Sequence, residues 1–452
     1  MHFDHIAEER QDRNFAIWLH LLLKEEPEKL AMGLVQKHRP GKVRAARLWK
    51  NGAFNVCYQV RCEDGFEAIV RFTALGRVIF RSEKVQSEVA VMNYLRLHTS
   101  IPVPEVLGSG ICGPGPYIVM SFVEGVQLSK ILQDPHAQGR PVLNPKISDR
   151  ALSLAFREMA NIVLELSKPE FPRVGSLRQD GKHFTVTARP FTFNMNELAT
   201  SANLPPEEFF TGPFESAADY FDALAVQHLS HLRNQRNDAV KDEEDCKKKY
   251  TARCLFRRIV QNLFRDSSEP FRLYCDDFRP SNVLIDTDKL CISAAIDWEF
   301  TYVAPAEFTY VAPWWLLLQS PEDWESDLNQ LLARYLPRLH LFLRMLRECE
   351  NAQAHMETIS ESQRLSTRMK DSLENGMFWV CLASRSSSMF DEIYWTFIDP
   401  RHFGPFTSIE ERVGILTEEE RRPLDGLVCS KMEQARERQL DEYYTPDKLV
   451  DL

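Results

Sequence analysis

Apolar and polar positions change their period several times along the chain, and each change marks an element. Residues 15–23 repeat at helical spacing within a stretch that also carries charged turns, so residues 1–44 read as a helical lead-in. From Ala45 the spacing becomes that of strands. Residues 47–49 and 56–61 flank a turn at Lys50-Asn51-Gly52-Ala53-Phe54-Asn55, and residues 66–72 follow the hairpin signal Glu63-Asp64-Gly65. On that third strand Ala68, Val70 and Phe72 face one way and Ile69 and Arg71 the other. Residues 82–98 form an amphipathic helix with Val85, Val89, Met92 and Leu95 on one stripe and Glu88 beside it. Ile101-Pro-Val-Pro breaks the helix, residues 106–109 make a strand, and residues 116–123 make a buried one that ends at Glu124-Gly125.

Beyond Gly125 the pattern is mostly helical. Helices are predicted over 126–133, 148–166, 217–234 (with Ser216 as N-cap) and 254–264, and residues 171–177 read as a turn or short strand. Residues 238–249 alternate acids and bases as a solvated helix face does. Helices continue over 322–398, and residues 399–452 are charged and partly helical, a loosely packed tail.

The chemistry concentrates between Leu273 and Glu299. Two apolar runs, 283–285 and 291–296, enclose the turn Thr287-Asp288-Lys289-Leu290 and predict a tight hairpin. Asp277 and Asn282 precede its first strand and Asp297 follows its second, so all three converge at one end. Two carboxylates and an amide are hard oxygen donors that suit magnesium. The five-residue step from Asp277 to Asn282 is the spacing of a phosphoryl-transfer catalytic loop.

Composition narrows the picture. A chain of 452 residues with 44% hydrophobic content suits a globular protein of two lobes. The net charge of −10 argues against a nucleic-acid-binding surface. Ten scattered cysteines with no Cys-x-x-Cys pair argue against structural zinc and for reduced thiols. Early acids (Asp4, Glu8, Glu9, Asp12) argue against a signal or transit peptide, and no stretch has the length of a membrane span. A cytoplasmic protein without membrane or nucleic-acid partners is the expectation. No Gly-x-Ser-x-Gly elbow points to a hydrolase.

Cys275-Asp276-Asp277-Phe278-Arg279-Pro280-Ser281-Asn282, followed by Ile296-Asp297-Trp298-Glu299, resembles the catalytic core of the aminoglycoside phosphotransferase and choline kinase-like family. Pro102-Val103-Pro104, Glu124-Gly125 with Leu128, and Ala304-Pro305 with Pro313-Trp314-Trp315 resemble its fungal-type branch, and the likeness spans roughly residues 45–400. Cys275, Asp276 and Arg279 stand where that family has His, Gly and His, and Arg71 stands where kinases carry Lys.

The resemblance implies an α+β, protein-kinase-like fold of two lobes. Residues 45–123 would form a small antiparallel-sheet lobe on the nucleotide-phosphate side. Residues 124–400 would form a helical lobe with the catalytic loop and substrate pocket, and residues 401–452 a charged tail. It implies an ATP- and magnesium-dependent phosphotransferase acting on a hydroxyl of a small molecule. Asp277 would be the catalytic base, Arg279 a stabiliser of the transferred group, and Asn282 and Asp297 the metal ligands. Arg71 would grip the inner phosphates and be oriented by Glu88, with Glu83 as the spare partner. Backbone groups around Ser121 to Val123 would pair with adenine, with Met120 at the back of that pocket. Glu299, Glu307 and Asp391 are candidate acids for a cationic acceptor. The departures at Cys275, Asp276 and Arg71 motivate the alternative of a nucleotide-binding pseudokinase that regulates a partner.

Overall fold

The described residues of this computed structural model are 1–288, 291–324, 327–353 and 360–444. Lys289 and Leu290 of the expected hairpin turn, and residues 445–452 of the expected tail, lie outside them.

The expected α+β, two-lobed protein-kinase-like architecture is present. Two helices open the chain, α1 (His5–Lys24) and α2 (Pro27–His38), and precede β1 (Val43–Asn51), β2 (Asn55–Cys62) and β3 (Glu67–Thr73). Helix α3 (Arg81–His98) leads to β4 (Val106–Cys112) and β5 (Gly115–Ser121). The five strands pair antiparallel in the order β1-β2-β3-β5-β4. Alternation sorts the two faces. Val56, Tyr58, Val60, Ala68, Val70, Phe72, Tyr117 and Val119 pack with Trp18, Leu22, Leu34 and Val35 of α1 and α2. Residues 1–44 therefore help to build this lobe's core, a role their own pattern does not reveal. The opposite face carries Cys57, Arg71 and Ile118 in one cross-strand row.

The chain leaves the sheet at Ser121, two residues before the predicted strand end. Residues 126–133 are not one helix. Val126–Gln127 is a short strand, β6, and only Leu128–Leu132 is helical, α4. β10 (Val283–Asp286) captures β6 by pairing Leu284 with Gln127 and Ile285 with Val126. Gly125 permits the approach, since a Cβ there would stand 3.0 Å from Leu284 Cβ.

In the helical lobe, α5 (Asp149–Leu166), the hairpin β7–β8 (Ser176–Asp180, His183–Ala188), α6 (Phe193–Thr200), α7 (Ala217–Asn234) and α8 (Glu243–Leu263) precede β9 (Phe271–Cys275). The predicted caps Ser148 and Ser216 hold Ala151 N and Asp219 N. Residues 238–249 are more than a solvated face. Asp242 caps α8, and Cys246, Lys249 and Tyr250 are buried. The acids sit on the first turn, where the helix dipole favours them. The tail is packed, not loose: Arg412 is fully buried in an ion pair with Asp399 (3.0 Å). No helix among the described residues is long and apolar enough to cross a membrane. The ten cysteines are unpaired.

Candidate active site

β9 pairs antiparallel with β12 (Thr301–Pro305), placing Cys275 opposite Thr301. The chain then turns through one 3-10 turn, Pro280–Asn282, into β10, which pairs with β11 (Cys291–Ala295). Proline suits that first position, because its missing N–H is not needed there. Asn282 Nδ2 donates to the Asp277 carbonyl at 2.9 Å, and Ile296 N donates to the Asn282 carbonyl at 2.8 Å. The hairpin thus carries Asp277, Asn282 and Asp297 to one end. Asp297 and Phe300 have left-handed backbones, φ 64° and φ 58°. Such conformations cost energy in non-glycine residues and concentrate at functional sites. The turn between them is held by Trp298, which is buried, stacks on Phe278 and donates Nε1 to the Ala295 carbonyl at 3.0 Å.

The sheet lobe meets this turn through charge. Arg71 pairs with Glu88 of α3 and donates Nη1 to Asp297 Oδ1 at 3.1 Å. Glu83, the spare partner, bonds Arg189 instead. Two residues not singled out in the sequence join the cluster. Lys84, fully buried, pairs with Glu299 and stands 3.4 Å from Glu88 Oε2. Asn55 donates Nδ2 to Glu299 Oε2 at 2.9 Å and accepts from Lys84 Nζ at 3.2 Å. Their one sequence signal is the four-residue step from Lys84 to Glu88, which on a helix more often marks a surface pair. On the floor, Arg279 Nε lies 3.2 Å from Asp277 Oδ1.

These neighbours set the protonation of the cluster. Burial pushes the Asp277 carboxyl up to about 6, with the nearby Glu299 adding to it against Arg279. Asp297 is also pushed up, by burial and then by Glu299, with Arg71 opposing. Burial would lift Glu299 too, but Lys84 and Arg71 hold it below the usual carboxylate range. Burial weighs against the charge on Arg71, and Glu88 and Asp297 more than offset it. Arg71 is therefore a fixed cation.

Met120 lies opposite Ile69 and Val106 and is buried. Ser121 N donates to the Glu105 carbonyl at 2.8 Å, and Phe122 N to the Glu67 carbonyl at 3.0 Å. Among the described residues no backbone acceptor meets Val123 N. Trp49 meets Phe122 edge-on at 5.2 Å and forms a lip beside it.

The departures from the family pattern have local explanations. Cys275 Sγ, in place of His, reaches the Glu299 carbonyl at 3.7 Å, and a cavity of about 60 Å³ lined by Cys275, Phe278, Trp314 and Trp315 lies behind it. Asp276 turns into the helical lobe, where it accepts from Phe193 N (3.0 Å) and pairs with Arg385 (3.1 Å). The three acids considered for a cationic acceptor are all engaged internally. Glu299 holds Lys84, Glu307 accepts from Ser267 at 2.6 Å, and Asp391 holds Arg253 at 2.7 Å.

The donor set bears on a metal. Among the described residues no three His, Cys, Asp or Glu side chains gather into a cage. Asn282 turns its Nδ2 to the Asp277 carbonyl, which leaves its oxygen available, and the Asp297 side chain is 31% exposed. One carboxylate and one amide oxygen fit magnesium, which shares its shell with phosphates and water.

The model of the phosphotransferase enzyme family matches residues 50–348. Altered inheritance of mitochondria protein 9 of Yarrowia lipolytica is 28% identical over 293 residues, 56% of this chain and 48% of that protein. Clavilactone A biosynthesis cluster protein Y of Ampulloclitocybe clavipes is 24% identical over 284 residues, 60% of this chain and 63% of that one. The chain thus matches between about half and under two thirds of the length of these relatives. Among solved structures, the macrolide 2′-phosphotransferase of Brachybacterium faecium aligns at TM-score 0.38 and 12% identity, covering 82% of this chain and 98% of that one. The ethanolamine kinase of Plasmodium vivax aligns at TM-score 0.39 and 10% identity, covering 89% and 83%.

Proposed function

The chain belongs to the phosphotransferase enzyme family, and on that premise we propose that it is a small-molecule kinase that moves the γ-phosphoryl group of ATP to a hydroxyl. One observation carries the reading. Asp277, Asn282 and Asp297 meet at the end of one hairpin, and Arg71, held by Glu88, faces them from the sheet lobe.

Phosphoryl transfer needs positioned charge more than covalent chemistry from the protein. Asn282 and Asp297 would hold magnesium, which when bound neutralises charge on the phosphates. Arg71, a planar two-pronged donor, grips the inner phosphates and exchanges Asp297 for them. Val123 N and the carbonyls beside it meet the base, with Met120 behind. Asp277 orients the acceptor hydroxyl and takes its proton, and Arg279 supports the equatorial oxygens of the transferred group. Such a base is typically worth about 10²–10⁴ in rate.

The Arg71–Asp297 contact favours a second reading. It ties up a carboxylate that the metal needs, as in a nucleotide-binding protein without turnover. The test is ADP release by the purified protein with magnesium and ATP against a panel of amino alcohols and hydroxyl compounds. Acceptor-dependent release supports the kinase. Nucleotide binding with no release across the panel supports the second reading. A cytoplasmic location remains a proposal, whereas the Yarrowia lipolytica relative carries "mitochondrial" in its name. Cell fractionation decides between them.

A further inference from the structure

Behind Arg71 lies a second cation with no part in the chemistry above. Lys84 is fully buried, and its ammonium has three donors and three acceptor groups: Glu88, Glu299 and Asn55 Oδ1. These partners come from separate parts of the chain. Asn55 starts β2, Glu88 lies one turn beyond Lys84 on α3, and Glu299 lies in the turn that carries Asp297. A buried ammonium keeps its charge only where partners replace water. Here those partners also tie the sheet lobe and α3 to the turn that carries Asp297.

The charge balance shows what the tie does. Glu88 and Glu299 are both almost wholly buried, with side chains 1% and 2% exposed. Arg71 is the other cation on this cluster, and it already holds Glu88 and Asp297. Without Lys84, Arg71 alone would face three carboxylates. It would be drawn toward the floor of the cleft and lose its freedom to exchange Asp297 for phosphate. We propose that Lys84 is a positioning residue: by neutralising Glu299 and sharing Glu88, it locks α3 to the Asp297 turn and frees Arg71 for the nucleotide. The part concerning Arg71 rests on the phosphotransferase reading, while the lock itself does not.

The test uses the full chain and four variants: Lys84→Met, Lys84→Arg, Glu299→Gln and the double variant Lys84→Met/Glu299→Gln. Two quantities are read: amide hydrogen exchange of peptides spanning 295–301 without ligand, and ADP affinity as magnesium is varied. Lys84→Met is expected to speed exchange locally at 295–301 and to weaken magnesium-dependent ADP binding at least about tenfold. Lys84→Arg is expected to restore part of the binding. The double variant is expected to bind better than Lys84→Met, because the unpaired carboxylate is gone. Unchanged exchange and affinity in Lys84→Met would overturn the proposal. So would a uniform rise in exchange that the double variant does not repair, since that marks a merely stabilising role. If Lys84→Met does not fold, a double variant that folds supports the lock, and one that also fails overturns it. If the parent binds no ADP, the proposed function fails, and the lock stands or falls on whether exchange at 295–301 rises in Lys84→Met.

Discussion

Asp277 and Lys84 mark the limits of what single residues disclose. Asp277 could be found because its partners lie near it in the chain: Asn282 is five residues on, and the hairpin returns Asp297 to the same end. Lys84 could not, because its partner Glu299 is more than two hundred residues away and the pair forms only when the lobes close on each other. Asp277→Asn should lower turnover by about 10²–10⁴ while leaving ADP affinity and melting temperature close to the parent's. A folded variant with parental turnover would remove Asp277 from the mechanism. The proton on Asp277 adds a pH signature. A base must be deprotonated to accept a proton, and burial raises this carboxyl to about 6. Values of kcat/KM, which report the free enzyme, should therefore be level above that pH and fall as pH drops through it. Asp277→Glu, if active, should keep such a limb at a shifted pH.

Elements were legible where period and caps agreed. α7, with its Ser216 cap, ends where the spacing says, whereas residues 126–133 divide into β6 and α4 because a strand from elsewhere in the chain captures two of them. Residues 238–249 look solvated by charge alone, yet Lys249 is buried and donates to the Ala239 carbonyl at 2.8 Å. The Asp276–Arg385 pair offers a test at this scale. It fixes β9 to the helix Met377–Arg385, with both side chains under a tenth exposed. Arg385→Met would leave a buried carboxylate without its cation, which typically costs about 3–5 kcal/mol. Urea denaturation should show a loss of that size, and Asp276→Asn/Arg385→Met should recover part of it. No loss in the single variant would mean that Asp276 finds water or another partner.

At the scale of the molecule, composition and motif order gave the two lobes, but not how the ends of the chain are used. α1 and α2 complete the sheet lobe's core, and Trp18 donates Nε1 to the Pro114 carbonyl at 2.7 Å. Helices of the tail pack on α8, where Arg258 donates to the Ile415 carbonyl at 3.0 Å, and Arg412 ties the tail to itself by donating to the Gly404 carbonyl at 2.6 Å. Neither role leaves a local pattern, since both depend on surfaces made elsewhere. Arg412→Met should cost about 3–5 kcal/mol by leaving Asp399 unpaired, and a melting temperature like the parent's would show the tail to be dispensable. The central claim is that Asp277, Asn282 and Asp297 gather around a magnesium nucleotide facing Arg71. Calorimetric titration of the protein and of Asp297→Asn with ATP, with magnesium and with chelator, tests it most directly. The expected result is one ATP per chain with magnesium, weakened at least about tenfold by chelator and likewise by the substitution. No binding, or an affinity indifferent to both metal and Asp297, would contradict it.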